Sequence, residues 1–245
     1  AISIAFSLAN PKVAAIDMNH CIHCKKCEKV CEPKAIDYEM QPKNINIETK
    51  TVIIATGFNL FKGENKPQYG FKKFPNVIDA MQMDRLIAPT RPYNAVLRPS
   101  DGKVPDKIAY VLCTGSRDSS LENAIGCGAE CSNNPICSQI CCMYSIKQAQ
   151  LLMGALPLAD ITIYYMDIRA FGKGYEEFFQ QSKGMGVNFI KGKVAKINQK
   201  DDNSGDLILR YEDVTTGALK EANHDLVVLS VGVLPNNGIT KVFTD

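Results

Sequence analysis

The chain has 245 residues, 45% of them hydrophobic, enough for one large domain or two ordinary ones with real cores. With 28 Lys and Arg against 26 Asp and Glu, the formal net charge of +2 points to neither a nucleic acid nor a membrane surface as partner. No apolar run approaches the roughly 20 residues of a bilayer span, and the opening AISIAFSLA has neither the basic start nor the small-residue cleavage site of a signal peptide, so a cytoplasmic protein is expected.

Position 1 is Ala and the chain starts inside a strand-like run, so a fragment is expected. Ile2 to Leu8 and Lys12 to Asp17 read as one or two strands leading into a cysteine loop at 20 to 31. In that loop Cys21, Cys24, Cys27 and Cys31 follow the C-x2-C-x2-C-x3-C spacing of a bacterial-ferredoxin cluster loop. Pro33 follows with Glu32 intervening, where such loops place the Pro directly after the last Cys. Thiolates at every third residue let a loop wrap one face of a cubane while its amides point at the sulfides. A four-cysteine zinc site is the competing reading, although zinc favours two well-separated C-x2-C knuckles. Cys31 either closes its own cluster or serves a neighbouring one, as the fourth cysteine does in two-cluster ferredoxins. His23 reads as a proton-coupled neighbour or a solvated loop residue, and His20 and His224 have no partner that the sequence identifies.

Beyond the loop, Ile45 to Glu48 alternates and Thr51 to Ala55 is a continuous apolar run ending at Thr56-Gly57, which predicts a buried strand and a tight turn. Phe58 to Lys107 is expected to be an irregular connection carrying one helix, at Val77 to Ala88. From there the pattern is regular: strand Lys107 to Cys113, helix Ser138 to Met153, strand Ile161 to Met166, helix Tyr175 to Lys183 and strand Val187 to Ile197. That alternation predicts a parallel sheet covered by helices. A hairpin of Leu207 to Glu212 and Leu219 to Ala222, then a buried strand Asp225 to Ser230, complete the chain.

Ten cysteines could suggest a disulfide scaffold, but such scaffolds are short secreted chains, and the adjacent Cys141 and Cys142 are awkward for paired bridges. Cys113 ends a strand and Cys137, Cys141 and Cys142 open a helix, where amides and dipole favour negative charge. The crest of a parallel sheet brings these positions together, so the four are expected to ligate a second [4Fe-4S] cluster. Cys127 and Cys131 are left as a further metal site, a redox pair or idle residues. A catalytic thiol pair at Cys141 and Cys142 is disfavoured by the strain of a vicinal bridge.

The ferredoxin run, TVIIATGF at 51 to 58, RPSDGK at 98 to 103, CTGSRD at 113 to 118, CSQICCMYSIKQA at 137 to 149, YYMDIRAFGKGYEEFF at 164 to 179 and DLVVLSVGVLP at 225 to 235 together resemble the A subunits of heterodisulfide reductases. The resemblance implies an α/β, thioredoxin-reductase-like flavoprotein with two dinucleotide-binding-like domains and an inserted ferredoxin-like module. On that basis 1–44 is a partial ferredoxin-like module and 45–105 part of the FAD domain with a connection. Residues 106–224 are a degenerate, Rossmann-like domain carrying a cluster, and 225–245 return to the FAD domain. It implies FAD beside [4Fe-4S] clusters, with Thr56, Gly57 and Gly232 closest to the flavin. It also implies electron bifurcation among ferredoxin, a disulfide-reducing partner, other subunits, and a hydrogenase or formate dehydrogenase-type donor.

Two features limit the resemblance. The flavin domain's own Gly-rich phosphate loop is absent, and the Cys127 and Cys131 pair lies in a stretch longer than the family's usual connection, which leaves open an altered cluster there. The resemblance also implies that Cys113-Thr114-Gly115-Ser116 stands where a nicotinamide nucleotide would meet G-x-G-x-x-G, a nucleotide site converted to a cluster site. Lys147, roughly 140° around the helix from Cys142, is expected to face away from the cluster, either tuning the flavin or simply solvated. The competing functions are a metal-stabilised scaffold without turnover and an NAD(P)H-dependent disulfide reductase, against which the lost Gly-rich turn argues.

Overall fold

The computed structural model describes all residues except 5–9, 11, 42, 92, 121–133 and 237–245. The chain forms two compact units, Ala1–Thr56 and Gly57–Asp245.

In the first unit β1 (Ile2–Ser3) pairs antiparallel with β2 (Ala15–Ile16), and α1 (Lys26–Val30) follows within the cysteine loop. The strand expected at Thr51 to Ala55 does not form. A strand needs a ladder partner for its N–H and C=O groups, and none of the described residues pairs with this run. It is irregular and bare, with Val52, Ile53 and Ile54 exposed to 72%, 88% and 53%. The alternating segment Ile45 to Glu48 is likewise irregular and exposed.

The second unit opens with β3 (Phe58–Leu60), then β4 (Val77–Asp79) and α2 (Ala80–Ile87), so the expected helix at 77 to 88 begins as a short strand. Asp79 makes this switch: its carboxylate accepts from Gln82 N at 2.8 Å while the Gln82 side chain accepts from Asp79 N at 2.9 Å, a capping box. Next come β5 (Lys107–Thr114), α3 (Cys141–Ala155), β6 (Asp160–Tyr165), α4 (Tyr175–Gly184) and β7 (Asn188–Gln199). The chain continues through β8 (Leu207–Asp213), β9 (Ala218–His224), β10 (Leu226–Val231) and β11 (Val233–Pro235).

Seven strands make one sheet in the order β4-β10-β5-β6-β7-β8-β9, parallel from β4 to β7 and antiparallel through the β8–β9 hairpin. Alternation along β5 shows why it reads as a continuous apolar run. Ile108, Tyr110 and Leu112 join the core beneath α2, α3 and α4, while Ala109 and Val111 join a second core with Val194, Leu207 and Leu209. A sheet covered on both faces buries every residue of its central strands. The architecture is α/β. The boundary expected at 224/225 falls inside this sheet, because β10 lies between β4 and β5, bonded to both. Among the described residues past 224, only β11 leaves it, pairing antiparallel with β3.

Candidate metal centre

The carboxyl end of β5 carries an irregularity that positions the first candidate ligand. β10 advances from Leu229 to Val231 while β5 advances from Val111 to Thr114, so Leu112 and Cys113 together oppose Ser230. Cys113 is thus part of a β-bulge, with φ 58° in the left-handed region. A bulge re-aims its side chain out of the strand's alternation, and a left-handed residue other than glycine costs roughly 1–2 kcal/mol.

The following turn is threaded tightly. Gly115 has φ 65°, and a Cβ there would meet the Phe61 ring at 2.1 Å. Gly232 opposes it, since a Cβ there would meet Gly115 O at 2.6 Å and Ser138 Oγ at 3.0 Å. The loop carrying Cys137 is fastened to this turn on both sides of the cysteine. Ser138 N donates to Ser116 Oγ at 3.0 Å, Ser116 Oγ to Ile136 O at 3.3 Å and Arg117 N to Ile136 O at 3.0 Å. Asn134 Nδ2 reaches Gly115 O at 3.0 Å, and Ser138 Oγ accepts from Val233 N at 3.1 Å.

Cys141 and Cys142 are the first two residues of α3, whose N-cap Ile140 offers no side-chain cap to the opening amides. The helix begins three residues later than Ser138, because the bonds of Ser138 to Ser116 and Val233 hold that residue in the loop. Both cysteines are buried; Cys113 and Cys137 are half-buried. Burial pushes the Cys113 thiol up to about 11 and the Cys141 thiol to about 12, and in both cases the other thiols of the group add to the rise. The four therefore share one electrostatic neighbourhood. As free thiols three of them face their own partners: Cys141 donates to Val231 O at 3.6 Å and Cys142 to Asp167 O at 3.8 Å, while Cys137 accepts from Gln139 N at 3.3 Å. Among the described residues no three Cys, His, Asp or Glu side chains converge as a ready-made cage.

The donor set nonetheless fits an iron-sulfur group. Four half-buried or buried thiols stand on one sheet crest, and backbone amides already point at two sulfurs, Gln139 N at Cys137 and Arg169 N at Cys142, the latter at 3.5 Å. Sequence reasoning missed the charged pair beside them. Arg117, itself at φ 58°, makes an ion pair with Asp167, just past β6, and Arg169 Nη2 lies 3.4 Å from the same carboxylate. The signal that could have found it is the rule that the strand after a dinucleotide turn ends in an acidic residue that takes a ribose.

In the first unit Cys21, Cys27 and Cys31 are half-buried and Cys24 exposed. His23 and Lys25 at φ 53° and 54° curl the loop around Cys24, and Ala35 N donates to Cys31 Sγ at 3.4 Å. Tyr38, also missed, lies with its hydroxyl 2.7 Å from Cys27 Sγ, and that hydrogen bond is the main cause raising its pKa to about 12. His20 gains a partner in Asp17 at 2.7 Å.

Thr56 belongs to the first unit, and Gly57 and Gly232 flank opposite ends of the β3–β11 ladder. Gly232 is buried against Gly115 and Ser138, a packing role. Lys147 is exposed, as its helical position predicts, and lines a cleft of about 540 Å³ with Met143, Tyr144, Lys173 and Tyr175. Cys127 and Cys131 lie outside the described residues.

No family model matches the chain. It is 39% identical over 244 residues to the A subunit of the H(2):CoB-CoM heterodisulfide,ferredoxin reductase of Methanothermobacter thermautotrophicus, covering 99% of this chain and 35% of that protein. It is 41% identical over 237 residues to the iron-sulfur A subunit of the CoB--CoM heterodisulfide reductase of Methanocaldococcus jannaschii, covering 96% and 34%. The chain is a relative of the heterodisulfide reductase A subunits. It spans about a third of the length of these relatives. The A subunit of the ferredoxin:CoB-CoM heterodisulfide reductase of Methanosarcina mazei is likewise 41% identical, over 92% of this chain and 27% of its own. Among solved structures, Lactococcus lactis thioredoxin reductase aligns at a TM-score of 0.43 and 16% identity, over 80% of this chain and 49% of that one. Among the described residues no helix is long and apolar enough to cross a membrane.

Proposed function

We propose that this chain is an iron-sulfur electron-transfer segment of a heterodisulfide reductase-type A subunit. In this reading Cys113, Cys137, Cys141 and Cys142 hold one [4Fe-4S] cluster, and Cys21, Cys24 and Cys27 hold another with Cys31 as its own or a neighbour's ligand. A bound cluster supplies storage of one electron at a time. The observation that carries the reading is the bulge that turns Cys113 out of β5 toward the crest where α3 opens on Cys141 and Cys142. The protein's part is to hold thiols, aim amides at sulfur and exclude water from Cys141 and Cys142.

The complete subunit would add FAD in a thioredoxin-reductase-like pair of dinucleotide-binding domains. Thr56, Gly57 and Gly232 are this chain's candidates for contact with the flavin, and Lys147 is an exposed cation on the lip of an apolar cleft. Partners in this proposal are the other subunits, a hydrogenase or formate dehydrogenase-type donor, ferredoxin and a disulfide-reducing component, all in the cytoplasm.

Iron, acid-labile sulfide and zinc in anaerobically purified protein test the reading. Two clusters' worth of iron, with loss of about one cluster on Cys142→Ala, is the expected result; a colourless zinc protein, or unchanged iron in that variant, overturns it. An NAD(P)H-dependent reductase is disfavoured by a specific contact, because the acidic residue that would take a ribose is held by Arg117 and Arg169.

A further inference from the structure

The Arg117–Asp167 pair stands against the cysteine crest from two directions. Arg117 lies four residues past the bulge, in a turn held by its own N–H to Ile136 O at 3.0 Å, and its left-handed backbone at φ 58° is a conformation an arginine seldom takes. Asp167 reaches the same crest from β6, and its carbonyl faces Cys142 Sγ at 3.8 Å. Arg169 adds a second cation to the Asp167 carboxylate, and its backbone N–H donates to Cys142 Sγ at 3.5 Å. Strained positions cluster at functional sites because surrounding contacts must hold them there. Cys113 and Arg117 are both such positions, and they share this one turn.

The charges do not cancel. Two guanidiniums meet one carboxylate, which leaves the group with a net single positive charge beside four thiol positions. Arg117 is 28% exposed, so water screens it only in part.

We propose that Arg117 is a positioning and tuning residue for the cluster at Cys113, Cys137, Cys141 and Cys142: held over the crest by Asp167, its guanidinium favours the more negative, reduced form. This rests on the cluster reading above. Reduction adds one electron from a dithionite-class donor, with no bond made or broken in the protein, so a fixed cation stabilises the product more than the reactant. A lysine keeps the charge but not the planar fork that pairs with Asp167.

The test is an EPR-monitored redox titration of the anaerobically purified chain, with iron and sulfide measured on every sample. Arg117→Gln should keep its iron and shift the oxidised-to-reduced ratio at a fixed potential about tenfold toward oxidised, a fall of about 59 mV for a one-electron couple. Arg117→Lys should recover part of the shift. An unchanged potential in iron-replete Arg117→Gln overturns the proposal while leaving the cluster reading intact, whereas missing iron in the parent sinks the cluster reading itself. Should Arg117→Gln fail to hold iron, Arg117→Met, which likewise removes the charge, decides, and an unchanged potential there overturns the proposal.

Discussion

Cys113 sits at φ 58°, where an L-residue pays a steric cost that glycine does not. A packing role would be served better by Gly, so the thiol itself is what the position retains. Cys113→Gly should therefore leave the fold as stable as the parent or about 1 kcal/mol more so, while lowering bound iron by about one cluster. Urea unfolding of the metal-free forms and iron content of the loaded forms measure the two halves separately. A destabilised apo-variant would assign Cys113 to packing. Ser116 supports the neighbouring ligand: it is 2% exposed and accepts from the N–H that follows Cys137. Ser116→Ala leaves that N–H unpaired, and should cost about 1–3 kcal/mol and speed iron release to a chelator. Release at the parent rate would separate Cys137 from this support.

At the scale of elements, the helices and strands from Lys107 to Val231 were legible because the apolar runs are long and alternate with amphipathic stretches. α3 shows how they are fixed: Ser145 Oγ lies 2.8 Å from Ser230 Oγ, Gln148 Nε2 donates to Ala80 O at 2.9 Å, and Ile146, Ala149 and Leu152 are fully buried. Truncating Ile146 to Ala should cost about 2–5 kcal/mol, read as a shift in the urea midpoint with little change in its slope. The run at Thr51 to Ala55 reads like a central strand by composition, yet it is bare, since composition reports what a segment would bury and a ladder requires a second strand. The bulge at Cys113 was equally hidden, because register belongs to a pair of strands and Leu229 to Val231 lies over a hundred residues away. The four cysteines were readable from spacing and from the crest rule; Arg117 and Asp167, 50 residues apart, were not, since nothing local marks either as the other's partner.

Across the second unit the sheet joins two cores, and its antiparallel end is tied to its parallel centre by one buried histidine. His224, the last residue of β9, is 5% exposed, and its Nε2 lies 3.0 Å from the Tyr164 hydroxyl of β6. Burial drops its pKa from 6.5 to about 4, with Asp160 and a Lys107 backbone hydrogen bond opposing and the Lys107 charge acting in the same direction. Unfolding restores the ordinary value, so between about pH 6.5 and 4 the unfolded chain binds more protons and stability falls as the solution is acidified. Above that window the contribution is complete and flat. Each pH unit between the folded and unfolded values corresponds to about 1.4 kcal/mol, so His224 should account for up to roughly 3 kcal/mol of lost stability across the window. Asp225, next in sequence, works the other way, since burial raises its pKa and acidification through the carboxylate range then favours the folded form. The His224 contribution is isolated by comparing the parent with His224→Gln, which can still meet the Tyr164 hydroxyl but does not titrate. Urea midpoints of the apo-proteins at pH 7 and pH 5 should converge on acidification, the parent falling further than the variant. Parallel declines would mean that His224 binds its proton in the folded chain as readily as in the unfolded one, and that the acid sensitivity of the sheet lies elsewhere.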